Sequence, residues 1–431
     1  MPGGGVSESR VLAAHRRDIR ILSLQKIVGE RDENCQGRRL EHGRSLSMRM
    51  AQDDFYLTAE QREMRDLVRA IARDRIAPLA AHVDEAEAYP DEALKLLGDQ
   101  GLMGLYIPEA YGGTDMGTLA FCLAVEEIAW ACASSATIYL VQYAGGWPIV
   151  AAGTDDQKRR YLPRLGSGEI TAAFSLSEPG AGSDAAAIST RAVRKGDRYV
   201  LNGVKLWVSN GSKASVITLF ATVDRGRGKG GVTAFLVEPT FPGFAVGKLE
   251  RKLGIRGSPT AALHLSDCEV PVENRLGEEG EGYKIALSVL DGSRPAVGAE
   301  AVGIGQAALD AAVAYAKERQ QFGQPIAAFQ GIQFMLADMA IAVHGSRLLV
   351  HHAAALVDRG APAALESSMA KCFAGDTAMK VATDAVQILG GYGYTREYPV
   401  ERFMRDAKIT QIYEGTNQIQ RIVIARELTR R

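Results

Sequence analysis

The sequence lacks several features that would mark it for a particular class of protein. Across its 431 residues, 50 Lys and Arg balance 51 Asp and Glu, for a formal net charge of -1. This balance argues against the cationic surface that binds nucleic acid, so we predict no nucleic-acid partner. Beyond Met50 we find no stretch of about 18 residues without a charged or polar break, and we expect no membrane span.

Cysteine and metal-binding patterns are also sparse. The five cysteines, at positions 35, 122, 132, 268 and 372, form no C-x-x-C motif, and their odd number cannot make a complete set of disulfides. We therefore expect a reducing, intracellular compartment, in which these thiols serve as small buried hydrophobic groups. No H-x-x-x-H pair occurs, so no metal site is predicted, and no G-x-S-x-G motif marks a serine hydrolase.

The first 50 residues differ from the rest of the chain. They are rich in arginine, are interrupted by glycine and lack a sustained apolar period. Mitochondrial transit peptides are also rich in arginine but avoid acids, whereas this stretch contains several, such as Asp32 and Glu33. We predict that residues 1–50 are a disordered extension that contributes neither to the fold nor to the activity.

Patterns in the remaining chain predict three domains of a mixed, mainly α-helical class. Residues 51–170 are expected to form an N-terminal helical domain, in which Thr58 to Gln61 has the form of a capping box and the helix that follows ends at Pro78. Residues 171–281 are predicted to form a middle antiparallel β-barrel-like domain. Residues 282–431 are predicted to form a C-terminal four-helix bundle.

Local patterns support the middle and C-terminal assignments. Asn202-Gly203 separates two β-rich runs, and this dipeptide is a strong signal of a two-residue hairpin turn. Amphipathic stretches at 304–317, 332–357 and 367–389 predict three long helices. The order of helices, strands and helices excludes the regular alternation of a parallel α/β sheet.

A glycine-rich loop is the first candidate site. Gly180 to Ala185 matches the G-x-G-x-x-A pattern of dinucleotide-binding folds, but that pattern has meaning only between a strand and a helix. No helix is predicted after it, so we exclude a Rossmann fold. Gly180 and Gly182 would still let backbone N–H groups approach an anion or a planar ring, although an ordinary tight loop explains the same residues.

Glu414 is the second candidate. It stands in the segment Ile412-Tyr-Glu-Gly-Thr416, among apolar, aromatic and glycine neighbours. A carboxyl group in a closed apolar pocket has a raised pKa and becomes a competent base. A surface glutamate at the start of a helix fits the same five residues equally well, and they alone do not separate the two interpretations.

Seven segments, in register over residues 52–430, resemble the acyl-CoA dehydrogenase family. The segments are Phe174–Asp184, Leu206–Ser209, Lys252–Ser258, Leu290–Arg294, Arg319–Gly323, Gln387–Gly391 and Ile412–Thr416. The resemblance implies an enzyme that uses FAD to oxidise an acyl-CoA thioester to a trans-2-enoyl-CoA. It also implies a helical domain, a β domain and a second helical domain, in agreement with the pattern analysis.

The resemblance also implies which residues bind FAD. They are Phe174, Leu176, Ser177, Gly182, Ser183, Trp207, Ser209, Arg319, Phe322, Gln330, Gln387, Gly390, Gly391, Thr416 and Gln418, together with Asn417. Trp207 would flank the flavin, although by sequence alone it is a buried strand aromatic. Ser209 would bind near the flavin N5, and Arg319 would pair with the pyrophosphate. Gln330 and residues 387–391 would contact the adenosine half, often across a subunit interface.

The same resemblance implies a substrate site with Glu414 as the catalytic base. The thioester and CoA would be held by Ser183, Asp291, Arg294, Tyr413 and Gly415. Some relatives carry the base on the earlier helix, next to the arginine that matches Arg294, but Ser293 occupies that position here and cannot serve. The pattern is closest to the short- and medium-chain members, and the depth of a pocket shaped by Gln142, Gly146 and Trp147 would set the acyl length.

Partners and compartment are likewise implied by the resemblance. A homotetramer would pass electrons to an electron-transfer flavoprotein, in the cytoplasm of a bacterium, which we favour, or in the mitochondrial matrix of a eukaryote. Two alternatives stay open: an oxygen-using, acyl-CoA oxidase-like relative, and a non-catalytic scaffold that binds acyl-CoA or flavin.

Overall fold

The computed structural model describes residues 56–430, of which 58–430 form one compact unit. The predicted extension, residues 1–50, lies outside the described residues. Helices precede and follow a central sheet, which confirms the mixed, mainly helical fold class. The helices before the sheet are α1 (Ala59–Ile71), α2 (Ala80–Glu85), α3 (Asp91–Asp99), α4 (Gly117–Ala131), α5 (Ala133–Ala152) and α6 (Asp155–Gly166).

The start of α1 agrees with the sequence, whereas its end does not. Thr58 and Gln61 form both bonds of the capping box, each backbone N–H donating to the other side chain at 3.1 Å. The helical path continues past Pro78, through a π-helical turn at Ala72–Ile76 and a 3-10 turn at Ala77–Leu79, into α2. Pro78 is tolerated because it lies in the first turn of a new helical segment, where its missing N–H has no partner to lose.

The middle of the chain folds into one eight-stranded sheet. The strands are β1 (Ala172–Ser175), β2 (Arg191–Lys195), β3 (Arg198–Ser209), β4 (Val216–Thr222), β5 (Val232–Val237), β6 (Phe244–Leu249), β7 (Thr260–Pro271) and β8 (Arg275–Leu276). Their order is β6-β7-β3-β2-β4-β5-β8, and β1 pairs with β4 beside this path. The pairs are antiparallel apart from β1–β4 and β2–β4, which are parallel, so the predicted antiparallel arrangement holds for most of the sheet.

The hairpin predicted at Asn202-Gly203 is wrong. Both residues lie inside the continuous strand β3, and the turn that joins β2 to β3 is at Gly196, which has a φ of 63°. Gly203 serves close packing instead, because a Cβ there would lie 2.5 Å from Thr190 Oγ1. Asn202 exchanges side-chain and backbone hydrogen bonds with Asp267 of β7, next to a β-bulge.

The C-terminal part is built around one long helix. The elements of this part are α7 (Gly282–Glu318), β9 (Gln320–Gln321), β10 (Gln324–Pro325), α8 (Gln330–Asp358), α9 (Ala364–Leu389), α10 (Val400–Ala407) and α11 (Asn417–Thr429). The long helix, α7, is followed by the short hairpin β9–β10. Helix α7 packs against α4, α5, α8 and α9, and the tight approach to α8 depends on Gly298, where a Cβ would lie 2.7 Å from Val350 Cγ2.

Helices α7 and α8 are long and apolar enough to cross a membrane on length and composition alone. The most apolar stretch of α7 is 83% buried inside the protein, which is typical of the central helix of a bundle. The corresponding stretch of α8 is only 39% buried, so this helix keeps an exposed apolar face.

Arg405 ties the two helical parts together. From α10, its guanidinium donates to Asp84 of α2 at 2.6 and 2.9 Å and to Glu401, one turn away on its own helix, at 2.7 and 3.0 Å. The side chains of Arg405 and Asp84 are only 16% and 12% exposed. Loss of the arginine would therefore leave two carboxylates shielded from water without their cation.

We expect Arg405→Leu to lower the free energy of unfolding by about 3–5 kcal/mol, the usual cost of breaking a largely buried pair. Urea unfolding of the full-length protein, followed by circular dichroism, measures the change. Arg159→Leu is the matched control, because Arg159 and Asp155 form an ion pair that is 69% and 64% exposed. That control should unfold at nearly the wild-type urea concentration, because exposed ion pairs contribute little to stability. Equal losses in the two variants would contradict the role given to Arg405.

Candidate active site

The loop before α11 holds Glu414 in a constrained conformation. Glu414 and Gly415 both have left-handed backbone angles, with φ values of 56° and 90°. A left-handed glutamate is unusual and persists only where the surrounding structure imposes it. At position 415 glycine is favoured, because a φ of 90° is a backbone conformation that residues with a Cβ rarely adopt.

Two side chains hold this loop through its carbonyl groups. The fully buried Lys371 of α9 donates from Nζ to the carbonyl oxygen of Gly415 and to Asn417 Oδ1, both at 2.8 Å. Gln420 donates to the carbonyl oxygens of Glu414 and Gly415 at 3.2 and 2.9 Å. Burial lowers the pKa of Lys371 to about 8. The left-handed turn is therefore secured from α9 on one side and from α11 on the other.

The Glu414 carboxyl meets α7. Ser293 Oγ donates to Glu414 Oε2 at 2.6 Å, and Arg294 follows Ser293 on the helix. Burial raises the pKa of Glu414, and the Ser293 hydrogen bond and the charges of Arg294 and Lys371 oppose that rise. The backbone N–H of Glu414 has no acceptor among the described residues. By accessible surface Glu414 is half-buried, and its carboxyl is hydrogen-bonded to Ser293, so it is not a freely exposed glutamate at a helix start.

A second buried carboxyl lies beside this site and was not predicted from the sequence. Glu300 of α7 is completely buried, and its two oxygens contact different hydroxyl groups. Thr137 Oγ1 of α5 lies 2.6 Å from Oε1, and the Tyr413 hydroxyl donates to Oε2. Burial raises the pKa of Glu300 to about 7. Tyr413, predicted to hold substrate, thus also connects Glu300 to the chain segment that carries Glu414.

A buried ion pair holds the glycine-rich loop from the interior of the protein. Glu178 accepts hydrogen bonds from Lys205 Nζ at 2.8 Å, from the Ser189 N–H and Oγ at 2.6 and 2.7 Å, and from the Thr190 N–H at 3.0 Å. Lys205 also donates to the carbonyl oxygen of Leu176 at 3.0 Å. A 3-10 turn and strand β2 follow the loop, so it lacks the helix of a dinucleotide-binding fold, as the sequence predicts.

The outer surface of this loop is open to a ligand. Gly182 and Ser183 are exposed, and a Cβ at Gly182 would meet no atom within 4 Å. Leu176 and Ser177 are half-buried, as is Phe174, whose ring packs on Phe220 at a centroid distance of 5.0 Å. The backbone is therefore fixed from the protein side and accessible from the other, as binding of an anion or a ring requires.

Trp207 presents an aromatic face at the end of the same sheet. It lies at a β-bulge of β3, has a φ of 54° and is 59% exposed, so its interpretation as a buried strand aromatic is wrong. Ser209, at the end of β3, is half-buried. An exposed indole on a strained backbone beside a glycine-rich loop is a surface that a planar heterocycle can cover. The residues predicted for the flavin ring thus fit a flavin.

The residues predicted for the rest of the cofactor are mostly exposed. Phe322, at the tip of the β9–β10 hairpin, is 92% exposed with a φ of 53°, and Arg319 stacks over Tyr392 at 5.5 Å. The other four in this group, all exposed, are Gln330, Gln387, Gly390 and Gly391. Contacts among the described residues do not join these six to Glu414.

Thr416 and Gln418 border a cavity of about 250 Å³ at the start of α11, with Asp376 and Lys408 among the other lining residues. Thr416 caps α11, while Gln418 is exposed. Asn417 is buried, and its side-chain amide donates to the Cys372 carbonyl oxygen and to Asp376. Asn417 therefore secures the loop to α9 rather than presenting its amide to a ligand.

The remaining predicted residues lie on α7 and α5. Arg294 is buried, and Asp291 is on α7, but its side chain lies outside what the structure describes. Gln142 is buried and uses its amide to hold β1, since Oε1 accepts from the Ala172 N–H at 2.7 Å. Trp147 stacks on Tyr143 at 5.4 Å. Among the described residues, no group of three His, Cys, Asp or Glu could hold a metal ion.

Family models of the acyl-CoA dehydrogenases match the chain in three consecutive parts. The model of the N-terminal domain matches residues 58–169, that of the middle domain residues 173–268, and that of the C-terminal domain residues 280–429. Together they span well over half of the chain.

Two curated relatives agree with this match. A probable acyl-CoA dehydrogenase of Mycobacterium tuberculosis, FadE25, is 50% identical over 379 residues, which cover 88% of this chain and 97% of the relative. A short-chain-specific acyl-CoA dehydrogenase of Clostridium acetobutylicum is 45% identical over 378 residues, which cover 88% of this chain and 100% of the relative.

Solved structures show the same fold. Butyryl-CoA dehydrogenase of Megasphaera elsdenii superposes with a TM-score of 0.86 at 44% identity, covering 88% of this chain and 100% of that one. A chain from a study of the electron transferring flavoprotein of Acidaminococcus fermentans gives 0.86 at 47% identity, with the same coverage. A glutaryl-CoA dehydrogenase of Mycobacterium smegmatis in complex with FADH2 gives 0.83 at 30% identity, covering 88% and 97%.

The fit of the glycine-rich loop and Trp207 to a flavin agrees with this relationship. The chain belongs to the acyl-CoA dehydrogenase family and is an FAD-dependent acyl-CoA dehydrogenase.

Proposed function

We propose that Glu414 is the base that removes the α-proton of a short- or medium-chain acyl-CoA, with a trans-2-enoyl-CoA as product. The observation that supports this most strongly is the imposed left-handed turn, which aims one carboxyl at α7 beside Ser293. A carboxyl with a raised pKa is a stronger base than one in water, and Glu414 has this property because of its burial. The short-chain relative and the butyryl-CoA dehydrogenase structure support the substrate class.

Charge that develops on the thioester oxygen also needs a donor. The N–H of Glu414 has no acceptor among the described residues, so it can donate to that oxygen in the manner of an oxyanion hole. Lys371 and Arg294 add positive charge near the carboxyl, which favours its ionised form before the proton arrives. When bound, FAD supplies the acceptor for the hydride that leaves the β-carbon.

The cofactor is held, in our proposal, by the glycine-rich loop, Trp207 and Ser209 at the flavin. Arg319 pairs with the pyrophosphate, and a second set, Gln330 and residues 387–391, contacts the adenosine half. The second set is open to solvent in one chain, which is the expected state of a site completed by a neighbouring subunit. Electrons then pass to an electron-transfer flavoprotein, and the chain from the Acidaminococcus fermentans study supports this choice of partner.

Glu414→Gln should keep FAD and lose flavin reduction. The amide preserves the shape of the side chain but cannot accept the α-proton, so anaerobic bleaching by butyryl-CoA should slow by about 10²–10⁴-fold or more. Stopped-flow absorbance of the flavin measures the rate. Glu109→Gln is the control and should bleach normally, because Glu109 is an exposed residue of the N-terminal helical part, distant in sequence from Glu414. Near-normal bleaching in Glu414→Gln would reject the base.

The same anaerobic preparation also tests the alternatives. A panel of straight, branched and aromatic acyl-CoA thioesters defines the substrate. Enzyme reduced by butyryl-CoA and then mixed with air would produce peroxide rapidly if the protein were an oxidase. Purified protein without a flavin spectrum, or a flavin that no thioester bleaches, would favour the non-catalytic scaffold.

Lys205→Met should weaken FAD binding. The substitution removes the donor to the Leu176 carbonyl and leaves Glu178 buried without its cation, so the loop can no longer be held from below. We expect the FAD dissociation constant to rise more than tenfold, as measured by fluorescence quenching on the reconstituted apoenzyme. Lys195→Met, at the exposed end of β2, should bind normally. Unchanged binding in folded Lys205→Met would contradict this role.

An exposed apolar face on helix α8 supports the proposal that the protein forms a homotetramer. Phe334, Ile341 and Leu348 recur every seven residues on one face and are 64%, 71% and 40% exposed. A contiguous apolar stripe of this kind marks a protein interface.

Ile341→Glu should lower the molar mass measured by light scattering below that of the tetramer. Leu79→Glu should leave the mass unchanged, because Leu79 is an isolated exposed leucine of the N-terminal part. Identical masses would count against this face as the interface.

A further inference from the structure

Glu300 has no part in the mechanism proposed above, although it lies next to its base. It is a single acid in a run of small apolar residues on α7, and it is completely buried. Ser293, which donates to Glu414, precedes it on the same helix by about two turns and so faces the same side. Tyr413, which donates to Glu300, immediately precedes Glu414. Tyr413 thus connects the two glutamates, to Glu300 by a hydrogen bond and to Glu414 by the peptide bond.

The hydrogen bonds around Glu300 can be satisfied in two protonation states. Thr137 has one hydroxyl proton and two acceptors in reach, the Ala133 carbonyl oxygen at 3.0 Å and Glu300 Oε1 at 2.6 Å. If Glu300 is ionised, Thr137 and Tyr413 both donate to it. If Glu300 is protonated, its O–H donates to Thr137, whose own proton turns to Ala133. Rotation of one hydroxyl therefore suffices to accommodate a proton, and neither state leaves a buried polar atom without a partner.

The charges that face Glu300 favour the protonated state. Helix α5 contributes only the neutral Thr137, and the loop contributes Tyr413 and the carboxyl of Glu414. Helix α10 contributes the carboxyl of Asp406, to which Arg402 and Arg405 are near. Among the described residues no lysine, arginine or histidine forms an ion pair with Glu300, whereas Arg294 and Lys371 lower the pKa of Glu414. Burial, helped by these acids, raises the pKa of Glu300 to about 7.

We propose that Glu300 is a second titrating acid of the active site, a positioning residue that retains its proton during the reaction so that Glu414 is the only ionised carboxyl. This inference rests on the proposed function of Glu414 as the base. The active form then has Glu414 ionised and Glu300 protonated. When Glu300 loses its proton, an additional buried negative charge opposes the charge that develops on the thioester oxygen, and the rate falls.

The test is the pH dependence of kcat/KM for anaerobic flavin reduction of the holoenzyme by butyryl-CoA. In the wild-type protein we expect kcat/KM to rise as Glu414 ionises and to fall at least tenfold between pH 7 and pH 9, as Glu300 loses its proton. Glu300→Gln keeps a donor for Thr137 and an acceptor for Tyr413 but stays neutral. It should retain the acid limb and change less than twofold over the alkaline range. Glu109→Gln should keep the wild-type profile.

A spectroscopic measurement tests the proton independently of activity. Infrared difference spectra of the holoenzyme between pH 6 and pH 9 should show loss of a protonated-carboxyl C=O band, and this signal should be missing in Glu300→Gln. An unchanged pH profile together with an unchanged band would overturn the proposal and leave Glu300 with a purely structural role. If Glu300→Gln does not fold, Tyr413→Phe replaces it: loss of a donor to the ionised form should move the alkaline limb to higher pH, and an unmoved limb would reject the proposal.

The two proposals fail in different ways. If Glu414→Gln reduces its flavin at the wild-type rate, the base is wrong whatever the profile of Glu300→Gln. If Glu414→Gln is inactive and Glu300→Gln keeps the wild-type alkaline limb, the base stands and only the role of Glu300 is rejected.

Discussion

The active site depends on one buried cation that holds a main-chain turn. Lys371 donates to the Gly415 carbonyl and so helps to keep Glu414 in a left-handed conformation that an isolated glutamate would avoid. The same ammonium group lies close enough to favour ionisation of the Glu414 carboxyl against the effect of burial. The position of the proposed base and its tendency to ionise are therefore coupled, because a single side chain of α9 contributes to both. The reduced pKa of Lys371, about 8, is the electrostatic consequence of burying it.

The glycine-rich loop is built on the same physical principle. Lys205 is fully buried and also donates to a main-chain carbonyl, that of Leu176, while Glu178 balances its charge and binds the backbone of Ser189 and Thr190. A lysine suits both places because its ammonium group can donate to several acceptors at the end of a long apolar stem. In each case a buried lysine fixes the backbone of a loop from the interior, and the exposed side of that loop stays available to bind a ligand.

The sequence predicted those parts of the molecule that local pattern controls. The capping box at Thr58 and the long helices of the C-terminal part are examples, because a helix start and a helical period depend on residues that are close in sequence. Asn202-Gly203 failed because pairing with β7 and the contact with Thr190 outweighed its turn preference. Burial of Glu414 could not be deduced from five residues, since α7 and α9 supply its surroundings. Glu300 did leave a signal, as a lone acid in an apolar run, but its partners Thr137 and Tyr413 are 163 and 113 residues away.

The contact between Ser293 and Glu414 makes α7 a second place from which a carboxylate could reach the substrate. The base on the earlier helix, which the resemblance implies for some relatives, would stand at the position of Ser293. Ser293 Oγ lies 2.6 Å from Glu414 Oε2, so groups from α7 and from the left-handed turn reach the same point. A carboxylate at either position could therefore address the same α-proton, whereas two together would repel each other and one would stay protonated. A hydroxyl is the suitable partner in this chain, because it donates to the carboxyl of Glu414 without adding a charge that would compete with it.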